Sequence, residues 1–347
     1  MNNLQQAKND RQIAVWLLVC CALIFAMVML GGATRLTHSG LSIVDWNPIM
    51  GVVPPLSLEE WESTFEKYKQ FPEYQKVNKG MSLDEFKSIF WYEYGHRLLG
   101  RSIGMVFLLP FLFFLFARKI KPGLTPKLIV MFLLGGLQGV LGWYMVKSGL
   151  VDNPRVSQYR LTAHLGAAVL IYGYIFWVAF GLLSEKVFSA TAAEVSRYRT
   201  MAILITVVIV LMILTGGFVA GTRAGFVFNT FPLMYDNFVP PGLFAMEPAY
   251  INLFENVATI QFNHRIIAYT LIALVLFFWF SIYKNAVTSR LRFTAHLLLA
   301  MLVIQVSLGI STLLLVVPVP LAVAHQGGAL VLFTISLAIT YLLKIRR

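Results

Sequence analysis

The sequence predicts an all-α membrane protein: eight transmembrane helices forming two tandem four-helix bundles, related by a pseudo-twofold axis along the membrane normal. Three observations carry that expectation. Of 347 residues, 58% are apolar and 13% charged, against about 45–50% and ~25% in soluble domains. Eight stretches are long and apolar enough to cross ~30 Å of hydrocarbon, which takes about 20 residues at 1.5 Å each. The motifs of the first half of the chain also recur, in the same order, in the second. A soluble multidomain enzyme and a disordered chain are excluded on composition. The net charge, 28 − 16 = +12, does not by itself point to nucleic acid, because basic residues of membrane proteins gather at cytoplasmic helix ends.

The first predicted span, about 13–33, holds the adjacent Cys20 and Cys21. No small-residue cleavage site follows it, so it reads as an anchor rather than a signal peptide. A long loop, about 34–94, comes next. Within it Leu58 to Phe90 is amphipathic, with Trp61, Phe65 and Tyr68 at helical spacing, which predicts short helices lying on the membrane surface. The remaining spans are expected at about 95–117, 128–146, 160–183, 201–220, 262–283, 294–316 and 322–343. A tight turn, Val317-Pro318-Val319-Pro320, joins the last two.

Basic residues fix the orientation. Lys8 and Arg11, the Arg118–Lys127 group, Lys186 with Arg197 and Arg199, the Lys284–Arg292 group, and Lys344 with Arg346 and Arg347 make 15 of the 28. Nearly all lie in short connections on one side, which is therefore cytoplasmic, with both termini. The absence of a long basic presequence favours a bacterial plasma (inner) membrane.

The repeat divides the chain into residues 1–190 and 191–347. Gly31-Gly32-Ala33-Thr34-Arg35 is echoed by Gly216-Gly217 and Gly221-Thr222-Arg223, and Gly95-His96-Arg97 by Asn263-His264-Arg265. Gln138 with Gly142 is echoed by Gln305 with Gly309, and Ala163-His164 by Ala324-His325. From His to Gln the separations are 42 and 41 residues; from Gln to the second His they are 26 and 20. Four spans per repeat keep the halves in one orientation.

Four histidines therefore occupy matched positions near the outer ends of spans two, four, six and eight: His96, His164, His264 and His325. A neutral imidazole is a natural axial ligand for haem iron, and a pair at one depth in each half can clamp one haem. No C-x-x-C-H exists for covalent attachment. Helix packing is the alternative for any one of them, but it does not account for four matched positions. Zinc is disfavoured because the histidines fall into two separate pairs. Gly95, Gly166, Gly327 and Gly328 beside the histidines are expected to let a flat macrocycle approach. Arg97 and Arg265 suit haem propionates, with snorkelling to headgroups the alternative. His38 and His296 lack repeat partners and read as structural.

The halves differ three residues before the first histidine, where Glu93 stands in one and Gln261 in the other. Glu93 falls on the ligand's helix face and can accept a proton or stabilise a developing cation. Alternatively it faces water at a helix N-terminus, where negative charge is favoured.

On these motifs, with Gly40-Leu41-Ser42 and Asp45-Trp46-Asn47-Pro48 besides, the chain resembles the haem A synthase family over nearly its whole length. The resemblance implies oxidation of the C8 methyl of haem O to a formyl group, through an alcohol and a gem-diol, giving haem A for cytochrome oxidase. It implies that the first half holds haem O through His96 and His164 with Glu93 catalytic, and that the second holds a haem b cofactor through His264 and His325. Expected partners are haem O from haem O synthase, an electron donor or acceptor, cytochrome oxidase assembly factors, lipid and a second copy of the chain. The cysteine pair that some members carry in an outer loop is missing. A dihaem b-type electron-transfer cytochrome would share the composition and the four histidines, and a transporter could share the repeat.

Overall fold

The computed structural model describes residues 3–44, 50–150, 154, 156–184, 192–285 and 287–343. The Asp45–Pro48 motif and the basic residues Lys186, Lys344, Arg346 and Arg347 lie outside them. Among the described residues the fold is helical, with one isolated bridge between Met234 and Asn237. All eight predicted spans are helices long and apolar enough to cross a membrane. They are α1 (Asn3–Leu36), α4 (Leu83–Phe116), α5 (Thr125–Gly149), α6 (Gln158–Leu183), α7 (Ala192–Thr222), α8 (Val257–Lys284), α9 (Ser289–Leu314) and α10 (Val319–Leu342). The chain is a multi-pass membrane protein. Two short helices, α2 (Leu58–Lys69) and α3 (Pro72–Lys76), lie in the connection between α1 and α4.

Helix packing follows the repeat. In the first half α1 contacts α4 and α6, and α5 contacts α4 and α6; in the second α7 contacts α8 and α10, and α9 contacts α8 and α10. The contacts between halves obey the same exchange: α1 lies on α10, α7 on α6, and α6 meets α10. Tyr172 of α6 and Thr334 of α10 share a hydroxyl hydrogen bond of 2.7 Å across that seam. Two repeat-matched arginines also reach across. Arg35 donates to the Gly221 carbonyl at 3.4 Å, and Arg223 meets the His38 ring at 3.3 Å. Both border a cleft of about 450 Å³ between the halves. Cys20 and Cys21 are buried as free thiols in the main core.

The surface-helix expectation for residues 58–90 requires correction. α4 begins at Leu83, well before the predicted span, because Ser82 and Glu85 form a capping box. Ser82 Oγ accepts from the Glu85 N–H at 3.3 Å, while the Glu85 carboxylate accepts from the Ser82 N–H at 2.8 Å. The last part of the amphipathic stretch is therefore an extension of a spanning helix. A second capping box, Ser57 with Glu60, starts α2. The aromatic stripe of α2 packs on that extension: Tyr68 stacks on Phe86 at 5.1 Å and Trp61 meets Phe90 edge-on at 4.8 Å. Protein, not lipid, covers Trp61, Phe65 and Tyr68. The periodicity named the apolar face but not what it packs against.

One carboxyl is enclosed in this loop domain. Glu73 is 5% exposed and accepts from the Tyr68 hydroxyl at 3.3 Å, which itself accepts from Asn78 Nδ2 at 2.7 Å. Burial, and secondarily the charge of Glu93, push the Glu73 carboxyl from 4.5 up to about 8. A carboxyl whose folded pKa is raised holds its proton more tightly when folded. Its contribution is thus complete below its unfolded pKa and is lost as pH rises through about 8. Protease resistance of residues 58–82 is expected to fall as pH rises through that value in the wild type and to stay level in Glu73→Gln. An equal fall in both would contradict this account.

Candidate functional site

The four repeat-matched histidines lie near the loop-bearing end of the bundle, each partly exposed rather than sealed in protein. His164, His264 and His325 fall within the first two turns of α6, α8 and α10. His96 lies deeper in α4 only because that helix starts early. His96 and His164 are within electrostatic range of each other, as are His264 and His325.

Each ring faces a glycine on a neighbouring helix, closely enough in three of the four cases that a Cβ would crowd it. A Cβ at Gly31 of α1 would stand 3.1 Å from His96 Nε2, and one at Gly142 of α5 would stand 3.1 Å from His164 Cε1. In the second half, a Cβ at Gly216 of α7 would stand 3.6 Å from His264 Cε1, and one at Gly309 of α9 would stand 2.8 Å from His325 Cε1. Gly31 and Gly216 are equivalent in the repeat, and so are Gly142 and Gly309. The glycines next to the histidines in sequence do something else, contrary to expectation. Gly166 packs against Leu214, Gly327 against Met29 and Gly328 against Gln305. They bring helices together, while the room for each imidazole comes from across the interface.

Glutamines support the second histidine of each pair. Gln138 Nε2 donates to the His164 carbonyl at 2.8 Å and Gln305 Nε2 to the His325 carbonyl at 2.9 Å. The ring nitrogens are treated differently in the two halves. His325 Nδ1 lies 3.2 Å from the Gln305 carbonyl, and His264 Nδ1 lies 2.9 Å from Thr215 Oγ1. His164 Nδ1 is buried without a hydrogen-bond partner among the described residues.

Glu93 does not face water. It is 3% exposed, and its carboxylate accepts from Ser42 Oγ at 2.7 Å, the Ile43 N–H at 2.8 Å and Arg97 at 2.7 Å. Arg97 also donates to the Ile43 carbonyl at 2.7 Å. Glu93 and Arg97 thus fasten the loop after α1 to α4. Gln261 and Arg265 do the same in the second half. Gln261 Nε2 donates to the Ala224 and Val227 carbonyls at 3.0 and 2.6 Å, and Arg265 to those of Phe228 and Leu233 at 2.8 and 3.1 Å. The loop after α1 offers Glu93 a hydroxyl and an N–H, which call for an acceptor. The loop after α7 offers Gln261 carbonyls, which call for a donor. Glu93 and Gln261 each suit the groups their loop presents, and a buried carboxyl group stands at this position in one half only.

The residues fit a haem in each half: paired imidazoles with accessible ring surface, glycine cradles opposite each ring, and a buried Arg265 Nε that lacks a protein acceptor among the described residues. His38 is engaged by Arg223, and His296 accepts from Trp279 Nε1 at 2.9 Å, so both have the structural contacts expected of them.

Fold and site together define a polytopic helical membrane protein that carries one histidine pair in each repeat half. Residues 14–337 match the family model described as cytochrome oxidase assembly protein, and the chain belongs to that family. It is 55% identical to the haem A synthase of Nitrosospira multiformis over 98% of this chain and 96% of that one. Against the haem A synthase of Nitrosomonas eutropha identity is 53%, covering 95% and 93%. Against that of Parvibaculum lavamentivorans it is 48%, covering 94% and 93%.

Gln261→Leu would strip the Val227 carbonyl of its side-chain donor, at about 1–3 kcal/mol for a group left buried and unsatisfied, and would leave the Ala224 carbonyl only the Val227 N–H. Amide exchange in residues 224–233 is expected to quicken and the thermal midpoint in detergent to drop. Unchanged exchange there would show that Gln261 does not hold the loop.

Proposed function

We propose that this chain is a haem A synthase, an oxidoreductase that converts the C8 methyl of haem O to a formyl group and so makes haem A for cytochrome oxidase. The observation that carries the reading is the set of four histidines, each faced by a repeat-matched glycine, in a chain about half identical to haem A synthases over nearly its full length.

In this reading His96 and His164 hold the substrate, haem O, while His264 and His325 hold a resident haem b. A haem b held there by His264 and His325 would supply one-electron chemistry, with a donor or acceptor outside the chain as its partner. The polypeptide binds, orients and moves protons. Glu93 is the catalytic acceptor for the proton released as the methyl carbon is oxidised, and Arg97 and Ser42 hold its carboxyl group in place. This places the reactive carboxylate in the half that holds the substrate. Arg97 and Arg265 hold the loops over the two sites, and the Nε–H of Arg265 is offered to a propionate.

The chain sits in the bacterial inner membrane with both termini cytoplasmic and the histidine pairs toward the opposite face. It receives haem O from the enzyme that makes it and works beside the assembly factors of cytochrome oxidase.

Expression beside a haem O-producing enzyme, followed by extraction and mass analysis of the haems, tests the reading. Wild type should yield haem A; recovery of protohaem alone would contradict it. Glu93→Gln is expected to retain bound haem while losing haem A formation by at least about 100-fold, and full activity would remove the catalytic assignment. His325→Ala is expected to lose the resident haem b, and an unchanged haem content would show the pairing to be wrong.

A further inference from the structure

We infer that Thr215 is a positioning residue that locks His264 in the Nδ1–H tautomer, so that the second half is built to keep its haem while the first half, lacking the lock, is built to exchange one. The inference rests on the haem-binding reading above and concerns how the two sites differ.

The tautomer follows from hydrogen-bond accounting. Thr215 Oγ1 donates to the Met212 carbonyl at 3.0 Å, which commits its only proton. The hydroxyl can then accept a hydrogen from His264 Nδ1, 2.9 Å away, in the one tautomer of the neutral ring whose Nε2 is free to bind iron. Nε2 keeps its lone pair for iron. His325 also has polar groups at its far ring nitrogen. Its Nδ1 lies 3.2 Å from the main-chain carbonyl of Gln305 and 3.1 Å from the side-chain Nε2 of the same residue; with the hydrogen on Nδ1 the carbonyl accepts it and the ring Nε2 is free. An acceptor on the far ring nitrogen fixes ring orientation and raises ligand basicity.

The first half is deprived of both devices. Position 30, the repeat equivalent of Thr215, is Leu30 and offers His96 no hydroxyl. The His96 ring also lies differently: its Nε2 edge faces Gly31, whereas His264 turns Cε1 toward Gly216. Gln138 supports the His164 main chain as Gln305 supports that of His325, yet His164 Nδ1 has no hydrogen-bond partner among the described residues. Packing and room for the rings are kept in both halves, and the polar contacts that fix a ligating tautomer are kept in one. A site that must take in a substrate macrocycle and give up its product gains from weaker ligation; a resident cofactor site does not.

The test uses purified full-length protein carrying its haem, with excess apomyoglobin as haem acceptor. Thr215→Val keeps the side-chain shape and removes the acceptor. It is expected to speed haem loss from the second half by about 10- to 100-fold and to move the midpoint potential of that haem upward, since a less basic imidazole stabilises ferric iron less. Thr215→Ser should restore the wild-type rate and potential, a rescue that lost packing alone would not explain. If Thr215→Val matches wild type in both rate and potential while His264→Ala loses the haem, the lock is overturned and the site reading stands. If His264→Ala keeps the haem as wild type does, the site reading itself fails.

Discussion

An imidazole inside a helical bundle needs space beside its ring and a partner for its polar edge, and much of this protein follows from supplying the first. A histidine close to a neighbouring helix leaves little room for a side chain opposite. Gly31, Gly142 and Gly309 meet that demand on α1, α5 and α9, and Gly216 of α7 faces His264, where a Cβ would make ordinary contact at 3.6 Å. Because the glycine and the histidine lie on different helices, ring position depends on helix contact. The contacts α1–α4, α5–α6, α7–α8 and α9–α10 are therefore requirements of the site as much as of the fold.

A second constraint acts at the loop-bearing end, where connections after α1 and α7 must close over the histidine pairs without leaving buried polar groups unsatisfied. The chain solves this twice with an i, i+4 pair, Glu93 with Arg97 and Gln261 with Arg265, each matched to the groups its loop presents. The price of a carboxylate in the first half is a buried charge, which is tolerable because Arg97 pairs with it and Ser42 and Ile43 donate to it.

Much of this was legible in the sequence. Hydrophobic length marked every span, and the repeat marked the four histidines, because both signals are local or periodic. The start of α4 was not legible from hydropathy, since residues 83–94 are polar enough to read as loop; the Ser82–Glu85 capping box was the available signal. The surface on which Trp61 and Tyr68 pack was hidden because amphipathicity does not say whether lipid or protein covers the apolar face. Glycines beside the histidines looked like cradles, while the glycines that face the rings lie on partner helices, a distinction that requires tertiary contact. The hydroxyl of Thr215 was likewise unremarkable until α7 brought it to His264.

The central claim is that each half grips one macrocycle between its two imidazoles. The most direct measurement is a density map of the purified protein as isolated and after loading with haem O. The account predicts one iron macrocycle between His264 and His325 in the first map, and a second between His96 and His164 after loading. Histidine rings packed against helices with no macrocycle between them, or a haem ligated by other residues, would contradict it.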